Sequence, residues 1–223
     1  MSASPETTVV CFDLGGVLIR ICRSWGQACR AAGLEIRPLA ATPAVETAHG
    51  ALLHRYAVGE LTEAEWAEKM AQVTLGEYSA DEHLRIHDAV TLDEYAGIGE
   101  IVDALHAAGL RTACLSNTTE THWGQLMHER RRTPLPERPR YPTVLRLESH
   151  FASHLLHFAK PDPAIYRAFE AAMGCGASRI LFFDDLPDNV TAARACGWRA
   201  ERIDHTIETA PQLKSYLRAY GLL

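Results

Sequence analysis

Three carboxylates at the ends of apolar runs are the side chains of this sequence best placed to do chemistry. Val9-Val10-Cys11-Phe12 runs into Asp13 and then into Leu14-Gly15-Gly16-Val17-Leu18, and Phe182-Phe183 runs into Asp184-Asp185. A buried strand ending in a carboxylate and a glycine-rich turn points to catalysis. Adjacent like charges at the end of an apolar strand are costly without a cation or other donors. Lys160, just ahead of a helical pattern, and a metal ion would supply that charge. Ser116-Asn117 closes a further apolar run, Thr112-Ala113-Cys114-Leu115, with a hydroxyl and an amide. Taken singly, each of these residues also has an ordinary explanation as a turn or cap, since Asp, Ser and Asn favour such positions. The position two beyond Asp13 is Gly15, so no second acidic residue accompanies this aspartate.

The elements that must hold these groups follow from hydrophobic spacing. After residue 95 short apolar runs alternate with helical patterns, the signature of parallel strands joined by crossover helices. Strands are predicted over Thr8–Asp13, Thr112–Leu115 and Arg179–Phe183, with Trp198-Arg199-Ala200 closing a further unit. Helices are predicted where Ile98, Ile101, Val102 and Leu105 recur, over Pro163–Met173, near Asp188–Cys196 and near Ala210–Tyr220. Between Arg20 and Glu94 the periodicity is helical throughout and no strand is predicted, with helix starts at Thr42-Pro43 and Thr62-Glu63-Ala64-Glu65. The expected fold is α/β, a Rossmann-like parallel sheet core flanked by helices (residues 1–20 and 95–223) with an inserted α-helical cap (21–94). Ligands of open parallel sheets bind beyond the carboxyl ends of the strands. All the groups above therefore fall on one edge, and the cap hangs over it as a lid.

Composition sets the outer bounds. The 223 residues, 47% hydrophobic, suffice for one well-buried domain with a sizeable insertion. A net charge of -6 argues against general nucleic-acid binding. The Arg- and Pro-rich stretch from Glu129 to Arg140 is a short run in an acidic chain with few interleaved aromatics, and reads as a solvated loop. No stretch approaches the roughly 20 apolar residues of a membrane helix, and Met1 to Thr8 is polar, so a cytoplasmic protein without a membrane partner is expected. The six cysteines form no CxxC pair, which predicts reduced, packed thiols, and neither they nor the eleven histidines show paired zinc-ligand spacing.

In order and context the chemical segments resemble the four motifs of the haloacid dehalogenase-like hydrolase superfamily, whose members are mostly phosphatases. The segments are Asp13-Leu14-Gly15-Gly16-Val17, Leu115-Ser116-Asn117-Thr118, Lys160-Pro161-Asp162-Pro163-Ala164-Ile165-Tyr166, and Phe182-Phe183-Asp184-Asp185-Leu186-Pro187-Asp188-Asn189-Val190. Any one would be weak; four in the right order, from Val9 to about Trp198 with the cap included, are specific. The resemblance implies a magnesium-dependent phosphatase acting on a small phosphorylated metabolite, a sugar phosphate among the candidates. It makes Asp13 the nucleophile of an aspartyl-phosphate intermediate. Ser116 would hydrogen-bond a phosphoryl oxygen, with Asn117 and Gly16 in the same substrate-binding set, and Lys160 would neutralise charge on the nucleophile and the transferring group. Magnesium would be bound by Asp13, Asp185 and the carbonyl of Gly15, with Asp184 as a second or outer carboxylate. Asn117, Asp162 and Asn189 fit turn or cap roles equally well.

Gly15 is where the sequence departs from the majority pattern. In typical phosphatases of the family a carboxylate there protonates the leaving oxygen and later activates water, and such a group contributes roughly 10² to 10⁴ in rate. Glycine keeps the carbonyl and loses the acid. The chain then favours good leaving groups such as anomeric sugar phosphates or acyl phosphates, as the family's sugar-phosphate phosphatases with a Leu-Gly first motif suggest. Otherwise another donor replaces the acid (Glu120, His122, His54 or Glu60), or the chemistry has changed. Two competing readings stand beside the phosphatase. A hydrolytic 2-haloacid dehalogenase also lacks the second aspartate, and halide leaves unprotonated, yet it has no need of Asp184-Asp185. A catalytically silent member would hold a phosphorylated ligand or a protein partner. Trp25, Tyr56, Trp66 and Tyr78 are read as packing within the cap.

Overall fold

The computed structural model describes residues 7–38, 42–129 and 136–223. The chain opens on β1 (Val9–Phe12) and passes through β2 (Ile19–Ile21) into α1 (Trp25–Ala31), α2 (Pro43–Ala57), α3 (Glu63–Val73) and α4 (Ala80–Asp88), returning through β3 (Thr91–Glu94). There follow α5 (Ile98–Ala107), β4 (Arg111–Ser116), α6 (Glu120–Leu126), α7 (Pro142–Leu145), β5 (Ser149–Ala152) and α8 (Ser153–Leu156). The last elements are α9 (Pro163–Met173), β6 (Ile180–Asp184), α10 (Pro187–Ala195), β7 (Arg199–Arg202) and α11 (Thr209–Ala219).

Every residue of β1 is buried because it is the central strand of a five-stranded parallel sheet of order β5-β4-β1-β6-β7. Both faces are covered, so the strands read as continuous apolar runs rather than alternating ones. Val10, Phe12, Cys114 and Phe183 face α5 and α11, packing with Ile101, Leu105, Leu213 and Leu217. Val9, Cys11, Leu115 and Phe182 face α9 and α10, packing with Tyr166, Phe169, Val190 and Ala193. Each large apolar side chain buried this way contributes about 1.5–3 kcal/mol.

Local signals fix the helix ends. Asp162 caps α9 by accepting from the Ala164 N–H at 2.8 Å, Pro163 occupies the first turn, and Gly174 stops the helix at φ +62°. Thr62 and Glu65 form a capping box on α3, and Ser79 and Glu82 another on α4.

Three strands escape the hydrophobic pattern. β2 and β3 pair antiparallel at the root of the inserted helices, where the periodicity predicts no strand; at three and four residues they are too short to show alternation. β5, half-buried at the sheet edge and carrying His150, has no apolar run. Of the Arg-rich stretch, residues 130–135 lie outside the described residues, while Arg140 pairs with Asp93 at 3.2 Å and stands over the ring of Tyr141. All six cysteines are unpaired thiols. Among the described residues no helix is long and apolar enough to cross a membrane.

The four inserted helices carry their own core. Tyr56, Trp66 and Met70 form one buried cluster and Cys29, Tyr78 and Ile86 another, with Trp25 packed against both. Polar contacts tie them to α6 and α8: Tyr56 Oη to Thr121 Oγ1 at 2.6 Å, His87 Nε2 to Thr119 Oγ1 at 2.9 Å, and the Ser153 hydroxyl donating to the Ala57 carbonyl at 2.6 Å.

Candidate active site

Parallel register brings the carboxyl ends of the strands together: Phe12 stands opposite Cys114 on one side and Phe183 on the other. Asp13, Ser116 and Asp184 therefore emerge side by side. The Asp13 N–H donates to the Phe183 carbonyl at 2.8 Å, which fixes where the side chain begins. Beyond it the chain turns tightly, the Leu14 carbonyl accepting from Val17, Leu18 and Ile19. Gly16 takes φ +85° in this turn, and a Cβ there would run into the Arg23 guanidinium and stand 2.6 Å from Asp185 Oδ2. The Gly16 N–H donates to Ile19, so what Gly16 offers a ligand is the lack of a side chain.

Lys160 is the hub of the cluster. Its buried ammonium donates to Asp13 Oδ1 at 2.8 Å, Asp184 Oδ2 at 2.7 Å and the Leu115 carbonyl at 2.6 Å, which uses all three of its N–H groups. Asn117 sets the position of this lysine: its amide accepts from the Lys160 N–H at 2.8 Å and donates to the Lys160 carbonyl at 2.7 Å. Asp184 is saturated as well. Its oxygens take the Leu186 N–H at 2.9 Å and the Asn189 amide at 3.0 Å in addition to Lys160. Ser116 is buried at the end of β4.

Asp185 differs. Its Oδ2 lies 2.7 Å from Arg23 Nη1 and 3.1 Å from His205 Nδ1, both of them partly exposed side chains. Oxygens of Asp13, Asp184 and Asp185 lie within 4.8 Å of one another. Burial, reinforced by Asp184 and Asp185, outweighs Lys160 and pushes the Asp13 carboxyl up to about 7. Burial likewise raises Asp185 against the pull of Arg23. Burial also works against the Lys160 ammonium, but the facing carboxylates win and hold it protonated. The three carboxylates give the site surplus negative charge and hard oxygen donors, which fits a divalent cation such as magnesium.

Above these groups lies a cavity of about 760 Å³, lined by Leu14 and Gly15, by Ser116 to Thr119, and by Arg23, Trp25, Glu46, His49, His54, His87 and His122 from the inserted segment and α6. A Cβ at Gly15 would stand 3.1 Å from Ile21 Cδ1, so hydrocarbon borders the place of the missing acid. Of the replacement donors considered from sequence, His54 and His122 line the cavity; Glu120 and Glu60 do not, and Glu60 pairs with Arg55 at 3.1 Å. His122 is held neutral by burial, and its Nε2 proton goes to the His87 carbonyl at 2.6 Å. Tyr56, Trp66 and Tyr78 are packed as expected, while Trp25 and Trp66 also form cavity wall. Arg23, His205 and Ile21 are the residues that sequence reasoning misses.

Comparison with known proteins identifies the family and the fold. Residues 7–197 match the family described as haloacid dehalogenase-like hydrolase. A phosphatase of Mycobacterium tuberculosis is 36% identical over 72 residues, 32% of this chain and 33% of that protein. Such matches span about a third or less of the curated relatives concerned. A haloacid dehalogenase family enzyme from Bacteroides thetaiotaomicron superposes with a TM-score of 0.75 at 19% identity, over 93% of this chain and 98% of its own. That enzyme has also been crystallised in complex with magnesium and inorganic phosphate. The L-2-haloacid dehalogenase of Xanthobacter autotrophicus, with chloropropionic acid covalently bound, superposes with a TM-score of 0.61 at 17% identity, over 98% of this chain and 85% of its own. At these identities the structural likenesses show a shared fold. With the motif residues gathered at one sheet edge and the family match running through nearly the whole of that fold, the chain belongs to the haloacid dehalogenase-like hydrolases.

Proposed function

We propose that this protein is a magnesium-dependent phosphatase of small phosphate monoesters that works through an aspartyl-phosphate at Asp13. The observation that carries the reading is the division of labour among the carboxylates: Lys160 joins Asp13 to a saturated Asp184, while Asp185 Oδ2 beside them faces only the half-buried side chains of Arg23 and His205. Asp13, Asp185 and the Gly15 carbonyl would hold magnesium, which supplies neutralisation of the charge on nucleophile and phosphoryl group. Lys160 fixes Asp13 through Oδ1 and leaves the second carboxylate oxygen for in-line attack on phosphorus. As that oxygen bonds to phosphorus, the bond to the leaving oxygen breaks and the leaving group departs as an oxyanion. Water then attacks phosphorus, releasing phosphate and restoring the carboxylate. The Ser116 hydroxyl serves the phosphoryl oxygens; Asn117 and Asp184 act through Lys160. Residues 21–94 act as the cap over a catalytic unit of residues 1–20 and 95–223, excluding water from the cavity.

The test is phosphate release from acetyl phosphate and an activated aryl phosphate with magnesium, alongside halide release from 2-chloropropionate. Phosphate release abolished by chelation and by Asp13→Asn is the expected result. Halide release in its place would make the protein a dehalogenase, and neither product would leave a binding protein.

A further inference from the structure

We infer that the substrate is an aryl phosphate, a monoester whose leaving oxygen belongs to a flat, largely apolar body; this rests on the phosphatase reading above. The slot of the general acid is the first argument. Ile21 Cδ1 stands 3.1 Å from where a Cβ at Gly15 would be, so the leaving oxygen meets hydrocarbon where a proton donor would otherwise reach it. An aryl oxygen spreads its negative charge into the ring and leaves without protonation far more readily than an alkyl oxygen.

The cavity wall is the second argument. Trp25 and Trp66 line it with Ile21, Val45, Leu53 and Ile86, and His49, held neutral by burial, sits edge-on to Trp25 at 5.2 Å. Several of the polar side chains there already have partners inside the protein. Asn117 is bonded to Lys160 at both ends of its amide, Thr91 donates to Gln125 at 2.9 Å, His122 is bonded to the His87 carbonyl, and Ser24 accepts from the Gln27 N–H at 3.2 Å. A sugar hydroxyl placed against these paired groups or the apolar wall would gain little in exchange for its hydration. Charge gives the third argument. Among the described lining residues Arg23 is the one Lys or Arg, it faces Asp185, and Glu46 lines the same space. A second phosphate or a carboxylate on the substrate would find no cation of its own. At about 760 Å³ the cavity takes a phosphate with two fused rings, within the usual ligand-pocket range of about 300–1,000 Å³.

The experiment compares kcat/KM of the full chain with magnesium for 2-naphthyl phosphate, phenyl phosphate and glucose 1-phosphate. The first two have leaving oxygens of similar acidity, so their ratio reads the apolar wall. Burial of the second ring predicts a preference of about tenfold for naphthyl over phenyl, with glucose 1-phosphate slower than both. Trp25→Ala, or Leu53→Asn if that variant does not fold, should bring the naphthyl-to-phenyl ratio towards one. A ratio near one in the wild type, or glucose 1-phosphate as the best substrate, would overturn the inference and leave the phosphatase reading standing. Absence of turnover with every ester defeats the phosphatase reading instead. Calorimetry with Asp13→Asn then still decides the cavity, with tighter binding of 2-naphthyl phosphate than of glucose 1-phosphate expected and the reverse order contradicting it.

Discussion

Arg23 places Nη1 2.7 Å from Oδ2 of Asp185, so the carboxylate proposed to take the metal already faces a guanidinium. Asp185 is nearly fully buried and Arg23 about one-third exposed, which lets the arginine swing away when a stronger cation arrives. Arg23 and magnesium should therefore compete. Arg23→Gln is expected to tighten magnesium binding by about three- to tenfold, the equivalent of one partly exposed ion pair. Titration calorimetry at low salt measures this, and weaker binding by the variant would show that the arginine assists the metal.

Lys160 offers the sharpest stability test. Lys160→Met leaves Asp13 and Asp184 facing each other without their shared cation, and losing one partner of a buried pair costs about 3–5 kcal/mol. Urea unfolding of the metal-free protein should show a loss of that size, with part recovered on adding magnesium. Asn117→Ala, which frees the Lys160 main chain, should lower kcat about 10- to 100-fold with magnesium affinity retained. An equal loss of metal binding would place Asn117 closer to the metal than its hydrogen bonds suggest.

Restoring the acid should change which esters are cleaved. In Gly15→Asp the new Cβ would press on the Ile21 δ-methyl, the far end of a flexible side chain, at 3.1 Å. Activity toward alkyl phosphates is expected to rise by up to roughly 10²-fold, more with Ile21→Val added to make room. The readout is the dependence of kcat/KM on leaving-group acidity; a slope as steep as that of the wild type would mean that another group already supplies the proton.

Acid should loosen the inserted helices and their seat on α6 and α8. Burial lowers the pKa of His49, His122 and His154 and takes His83 down to about 4. A histidine whose folded pKa lies below its unfolded value of about 6.5 contributes stability above that pH, lost as pH falls toward the folded value. Tm should drop between pH 7 and pH 4.5, and His83→Gln should flatten part of the drop. Asp13 works in the opposite sense. Its raised pKa gives stability present below about 4 and lost as pH rises toward about 7. Magnesium should act on that second contribution alone, so melts with and without the ion separate the two.

The residues legible in the sequence are those that end strands. Asp13, Ser116 and Asp184-Asp185 each follow a short apolar run of the kind a strand buried on both faces produces, and the motif order supplies Lys160. The partners that tune them are not legible, because long-range pairing places them. Arg23 depends on β2, a three-residue strand whose partner β3 comes some seventy residues later, and no local periodicity announces either. Asn117 looks like a turn residue until its amide is seen on the main chain of Lys160, 43 residues away. Asn189 reads as part of a helix start and proves to hold both oxygens of Asp184.

The central claim is that Asp13 carries the phosphoryl group, and borohydride trapping tests it most directly. An aspartyl-phosphate quenched during turnover is reduced to homoserine, which mass spectrometry of the peptide around residue 13 can read. The account predicts homoserine at position 13 only with magnesium and substrate both present, and none in Asp13→Asn. Steady phosphate release with an unmodified Asp13 peptide at every time point would contradict it.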